Sequence, residues 1–338
     1  MSQDYVIING ERREVENVLY AEDSNLDSIT QIERLDKCVN LLNLSLSFNQ
    51  IKEIDGLENL KELVFLELSH NHINEIKGLD ELKNLKELSL HTNHIRTIEG
   101  LDWLSQLEYL DLRSNHIEKI ENLENLSNLK VLLLSNNEIQ KIEGLDNLKN
   151  LEKLVLGHPM GDHHSKKITK IENLDNLRNL RHLEIWEESI TKYENLSNLK
   201  NLKSLTISPF YRGSIKEISG LEHLVNLEEI NVEDFSFETE EIPNYNFVVL
   251  FRFASMVKIE NFMEIEDWEK IFKEFPNTFL RFKLFNPEER VEWYLKQCGQ
   301  DFLKILEDIL NIPKFELIRQ GQEGDWTEVH ECAKKVLI

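Results

Sequence analysis

The chain has 338 residues, 53 of them leucine, and a formal net charge of −23 at pH 7. Such acidity excludes a broad electrostatic grip on DNA or RNA, which needs clustered Lys and Arg, and it disfavours an anionic membrane surface. At 41% hydrophobic residues the chain is built to fold. Its longest apolar run, Phe247 to Phe251, is too short to span a bilayer, and Cys38, Cys298 and Cys332 are too scattered for a disulfide framework.

Residues 1–40 are expected to form an N-terminal cap. Met1 to Tyr5 carries neither a basic region nor an apolar stretch, so no export signal is expected, and a cytoplasmic, reducing location is the default. Val6 to Val15 reads as a hairpin around Asn9-Gly10, the pair that a tight two-residue turn favours. Ile29, Ile32 and Leu35 fall 22 residues before Ile51, Ile54 and Leu57. They predict half a repeat.

Residues 41–238 predict about nine repeating units. Asn49, Asn71, Asn93, Asn115 and Asn137 recur every 22 residues, each preceded by a Leu-x-Leu pair such as Leu88/Leu90 and followed by two isoleucines such as Ile95/Ile98. A Gly-Leu or Asn-Leu step comes next, as in Gly100-Leu101 and Asn122-Leu123. Self-similarity at a fixed period marks a solenoid. Each Leu-x-Leu reads as a short strand with both leucines turned to the core, so stacked units make a parallel sheet on one face. The asparagine amide, both donor and acceptor, suits the buried turn after each strand, serving its own repeat and the next. Beyond residue 150 the strand pairs continue as Leu154/Leu156, Leu183/Ile185, Leu205/Ile207 and Ile230/Val232, but the asparagine slot holds Pro159, Glu188, Phe210 and Phe235. Insertions fall within 158–167 and near 210–214.

Residues 239–338 change character. Of 16 phenylalanines only Phe48, Phe65 and Phe210 precede Phe235. The pattern predicts a C-terminal α+β domain or extended cap, with a strand at Phe247–Phe253, alternation over 279–285, helices near 268–275, 287–298 and 301–311, a strand at 314–320 and a last helix behind an Asp325/Glu328 capping box.

The stretch Leu88-Ser89-Leu90-His91-Thr92-Asn93-His94-Ile95-Arg96-Thr97-Ile98-Glu99-Gly100-Leu101 resembles the leucine-rich repeat family, specifically its 22-residue SDS22-like class. The resemblance covers residues 29–232, and internalins, which are secreted, share a similar unit. It implies an α/β fold class: a right-handed leucine-rich repeat solenoid with a parallel concave sheet, used as a non-catalytic protein–protein interaction module, scaffold or regulatory subunit. In that class the partner can be a phosphatase catalytic subunit, held through concave acidic and aromatic residues.

In such a fold the residues flanking the strand leucines line the concave face. Those expected to bind a partner are Phe65, Glu67, Glu87, His91, Tyr109, Asp111, Arg113, Val131, Leu133, Lys153, Val155, His182, Glu184 and Trp186. Of these, Phe65, Tyr109, Val131, Leu133, Val155 and Trp186 should face solvent, because the neighbouring leucines already fill the core. Isolated exposed apolar residues are ordinary. Aromatics clustered in the middle units with a polar surround resemble a binding hot spot.

Catalytic signatures are missing: there is no Gly-x-Ser-x-Gly, Gly-rich phosphate loop or His-Glu-x-x-His. No cofactor and no metal are expected. His158, Asp162, His163 and His164 share one insertion, but adjacent imidazoles share an ion poorly, and Lys166 and Lys167 would repel it. The expected partner is a protein, with no nucleic acid and no membrane, and the chain alone is expected to be monomeric. The alternative is that residues 239–338 carry an enzymatic or small-ligand activity which the repeats target.

Overall fold

The computed structural model describes residues 4–157, 168–186, 190, 194–207, 224, 226 and 227, together with the backbone of three later strands, Glu229–Glu233, Val248–Arg252 and Phe279–Lys283. Both insertions, the four degenerate asparagine slots, the expected helix near 268–275 and the expected helices and strand between 284 and 338 lie outside the described residues.

The cap begins with β1 (Asp4–Ile8) and β2 (Glu11–Val15), paired antiparallel. Asn9 and Gly10 turn between them with φ of 53° and 80°, as a type I′ hairpin requires. Val6, Ile8 and Val15 are buried. Ile7 is tied to Glu33 by two backbone hydrogen bonds of 3.0 and 3.1 Å, and the Arg12 and Arg34 guanidinium groups each lie over the Tyr5 ring, 3.9 and 4.1 Å from its centroid. Ile29, Ile32 and Leu35 are buried in and around two single-turn 3-10 helices, Ile29–Gln31 and Leu35–Lys37. The cap is more than half a repeat, however. A third strand, β3 (Val18–Tyr20), pairs parallel with β4 and adds a full rung to the main sheet.

From there the strands follow in chain order: β4 (Asn43–Ser45), β5 (Phe65–Glu67), β6 (Glu87–Ser89), β7 (Tyr109–Asp111), β8 (Val131–Leu133), β9 (Lys153–Gly157), β10 (His182–Trp186), β11 (Ser204–Ile207), β12 (Glu229–Glu233), β13 (Val248–Arg252) and β14 (Phe279–Lys283). Their order in the sheet is their order in the chain, from β3 to β14. Strands β4 to β12 are the nine predicted units, and β13 and β14 occupy the expected Phe247–Phe253 and 279–285 stretches. Each unit from β4 to β9 buries seven apolar side chains, Leu66, Leu68, Ile73, Ile76, Leu79, Leu82 and Leu85 in one of them, these at 1% exposure or less. Among the described residues the return path is no helix. Paired turn bonds, Leu82 N–H to Leu79 C=O and Leu85 N–H to Leu82 C=O at 3.0 Å each, bring the chain back in few residues, which is how 22 residues complete a turn.

Polar ladders hold these turns together. The Asn71 amide donates to Leu46 C=O (2.9 Å), Leu68 C=O and Ser69 C=O (both 3.1 Å), and its oxygen accepts from Ile51 N–H (2.9 Å). Asn93, Asn115 and Asn137 repeat the arrangement, and Asn49 does the same for the cap through Ala21, Ser24 and Leu26. The amide therefore serves its own repeat and the preceding one, not the next: the turn groups it reaches belong to the strand already laid down.

Two further ladders were not anticipated from the sequence. Asn84, Asn128, Asn150, Asn179 and Asn201 each donate to a carbonyl of the preceding unit at 2.8–3.0 Å on the exposed side. At the Gly/Asn-Leu step the chain takes positive φ, 66° at Gly100 and 57° at Asn122. A Cβ placed on Gly100 would sit 2.2 Å from Ile76 C=O, whereas Asn122 donates its amide to the equivalent Ile98 C=O at 2.7 Å. Gly100→Asn is thus expected to fold with a midpoint near the parent, while Gly100→Ala, unable to donate and poorly suited to positive φ, loses about 1–3 kcal/mol. Urea denaturation of both variants checks the difference; equal losses would remove the assigned role of the amide.

The concave face as a candidate partner-binding surface

Parallel register sets the concave face into columns. Tyr20, Ser45, Glu67, Ser89, Asp111, Leu133, Val155, Glu184 and Thr206 share the central one. Beside it runs Phe65, Glu87, Tyr109, Val131, Lys153 and His182. His91, Arg113 and Trp186 stand past the second strand leucine on the other side. All fourteen sequence-predicted residues therefore lie on one face of one sheet.

Their exposure differs from expectation at two of six apolar positions. Phe65, Tyr109, Val131 and Trp186 are partly exposed, but Leu133 and Val155 are buried, at 8% and 7%. Leu133 lies in register between Asp111 and Val155, and Val155 between Leu133 and Glu184. Neighbours about 4.8 Å apart on adjacent strands shield one another, so a side chain outside the leucine core is still withdrawn from water.

Asp111 is the fixed charge of the surface. Its carboxylate is 1% exposed as a residue and accepts from Arg113 Nε (2.9 and 3.0 Å), Arg113 Nη2 (2.5 Å) and the Arg113 backbone N–H (3.1 Å). Tyr109 O–H also points at it, at 3.5 Å. Burial first, and the Asp111 charge second, push the Tyr109 hydroxyl up to about 12. The carboxylate hydrogen bond holds the Arg113 guanidinium above its ordinary value. Burial pulls the His91 imidazole below its usual value, outweighing the opposing pull of Asp111 and Glu67. Lys153 Nζ pairs with Glu184 Oε1 at 2.9 Å. The middle of the face is thus internally neutralised and preorganised around tyrosine, valine and leucine.

The N-terminal part is different, and it holds residues that sequence reasoning missed. Tyr20 is 64% exposed and Phe48 58% exposed. Phe48 stacks on His70, with centroids 4.2 Å apart, and His70 meets His91 edge-on at 5.0 Å. Tyr20 sits on the cap strand, where Ala21 stands in place of the second leucine, isoleucine or valine of the nine repeat strands. Phe48 occupies the slot just before the ladder asparagine, where Phe48, His70, Thr92, Ser114 and Asn136 recur every 22 residues with φ of 53° to 57°. That spacing was the available signal.

The histidine stack His72, His94 and His116 forms a separate row, with centroids 5.5 and 6.0 Å apart. Among the described residues no group of three or more His, Cys, Asp or Glu is placed to hold a metal, and no described helix is long and apolar enough to cross a membrane. The His158–His164 cluster lies outside the described residues.

This architecture is a leucine-rich repeat solenoid. A model described as leucine rich repeats (2 copies) matches residues 39–81 and 61–103, and a second leucine-rich repeat model matches 84–205. Among solved structures, an internalin F from Listeria monocytogenes is similar in fold, with 21% identity, a TM-score of 0.51, and coverage of 80% of this chain and 83% of that one. An internalin C2 from the same organism shares 25% identity over 64% of this chain and 80% of that one, with a TM-score of 0.46. The functional domain of its InlJ, which includes a cysteine ladder, shares 19% identity over 72% and 54%, at 0.45. No curated protein matches the chain.

Proposed function

We propose that the protein is a non-catalytic interaction module that binds a protein partner on its concave face, acting as a scaffold or regulatory subunit. The observation that carries this is the central patch, in which Tyr109 and Val131 stay accessible above a buried floor of Leu133, Val155 and the clamped Asp111. Half-exposed aromatics over a fixed, water-poor base are what binding hot spots use. The 22-residue spacing supports assignment to the SDS22-like class, and a phosphatase catalytic subunit, the partner that resemblance implies, is the first bait to try. A reducing, cytoplasmic location fits Cys38, a buried free thiol.

Affinity capture with the parent protein and a Tyr109→Ala/Trp186→Ala variant tests the proposal. A specific partner should bind the variant at least tenfold more weakly, a loss of about 1.4 kcal/mol or more. The variant's thermal unfolding should stay near that of the parent, since neither side chain belongs to the leucine core. A partner held equally by both proteins would move the site off the concave face.

A further inference from the structure

We propose that the N-terminal end of the concave face is a pocket for a basic side chain, arginine or lysine, of the protein partner. This rests on the concave-face reading above and adds to it the chemistry of what docks. The pocket has a volume of about 400 Å³ and is shaped by residue size. Tyr20, Ser45 and Glu67 are in register on three adjacent strands. The outer two therefore stand about 10 Å apart at the backbone, with a small serine, 2% exposed, as the floor between them. Phe48 and Phe65 add two more aromatic walls and Glu22 a second carboxylate.

The charges select the occupant. Glu22 accepts from Ser45 Oγ at 2.6 Å and Glu67 from the Ser69 N–H at 2.8 Å, so both carboxylates are oriented. Neither has a cationic partner among the described residues, nor does Glu87 on the next strand. Farther along the same face Asp111 is matched by Arg113 and Glu184 by Lys153. Burial lowers the proton affinity of the nearby His91 imidazole, against the pull of Asp111 and Glu67. Two carboxylates lining one pocket offer a guanidinium or ammonium group charge-assisted hydrogen bonds, and tyrosine and phenylalanine faces attract the same cation. An apolar or anionic side chain would leave both carboxylates desolvated without compensation.

The full chain is to be titrated at low salt with a blocked twelve-residue peptide carrying three spaced arginines, and with its citrulline counterpart, which keeps the shape and removes the charge. The arginine peptide is expected to bind at least tenfold more tightly. Glu22→Gln/Glu67→Gln should lower its affinity at least tenfold and Tyr20→Ala/Phe48→Ala several-fold, with unchanged thermal unfolding. Glu58→Gln/Glu62→Gln, which removes the same charge elsewhere, should stay within twofold. The proposal is overturned by no binding at millimolar peptide, by equal binding of citrulline, or by an equal loss in the Glu58/Glu62 variant, which would mean general acidity only. Pocket-dependent binding of tetramethylammonium without peptide would make it a small-cation site. Self-association abolished by the pocket variants would give it to a second copy. Either also overturns it. If the Tyr109→Ala/Trp186→Ala protein loses its captured partner while Glu22→Gln/Glu67→Gln keeps it, the concave face stands and the pocket falls. If neither variant loses a partner, the concave reading itself fails.

Discussion

Asn93→Ala is expected to destabilise the protein by about 3–5 kcal/mol, among the larger effects of a single polar-to-alanine change. The asparagine is 4% exposed, donates to Leu68 C=O and Leu90 C=O at 3.0 Å and to His91 C=O at 3.4 Å, and accepts from Ile73 N–H at 2.9 Å. Alanine fills neither the space nor the bonds. Each buried group left unpaired costs about 1–3 kcal/mol. Asn84→Ala, which loses one exposed bond to Lys61 C=O, should cost less than about 1 kcal/mol. Urea denaturation followed by circular dichroism compares them; similar midpoints for the two variants would show that the buried ladder is dispensable.

Gly157→Ala should cost about 2–5 kcal/mol and do so at one defined seam. Gly157 ends β9 with φ of 84°. A Cβ there would lie 2.3 Å from Trp186 C=O, 2.7 Å from its carbonyl carbon and 2.8 Å from its nitrogen. All three contacts are backbone, so no side-chain rotation relieves them. The left-handed backbone costs an alanine about 1–2 kcal/mol by itself, and forced separation of β9 from β10 adds an overpacking term of about 1–3 kcal/mol. Because a solenoid couples only nearest neighbours, denaturation should broaden or split into two transitions. A single transition at the parent midpoint would contradict the contact.

The unequal reach of sequence reasoning follows from which residues answer to one constraint and which to several. The leucines at 66, 68, 79, 82 and 85 have only core packing to satisfy, so period and type sufficed to place them, and with them the sheet and its register. The cap hairpin was equally plain, because Asn9-Gly10 has few other uses. Strand β3 was missed because the hairpin interrupts the period and Ala21 replaces the expected leucine. Phe48 was missed because its slot is defined by a positive φ rather than by hydrophobicity, and five different residue types fill it. Leu133 and Val155 were placed on the correct face with the wrong exposure. Alternation along a strand decides which side a residue faces, but its depth depends on the two neighbours across the sheet, which lie 22 or more residues away.

The buried ladder also has a direction in time. Asn71 reaches back to Leu46 and Ile51, Asn93 to Leu68 and Ile73, Asn115 to Leu90 and Ile95, and Asn137 to Leu112 and Ile117. Each of these turns, up to that of Asn115, is therefore finished only by the one made after it. Through Asn137, a chain folding as it emerges from the ribosome N-terminus first would carry one open turn at its growing edge, and each new asparagine would seal the turn before it. Growth behaves like a zip whose slider is the newest repeat, with the hairpin cap as its stop.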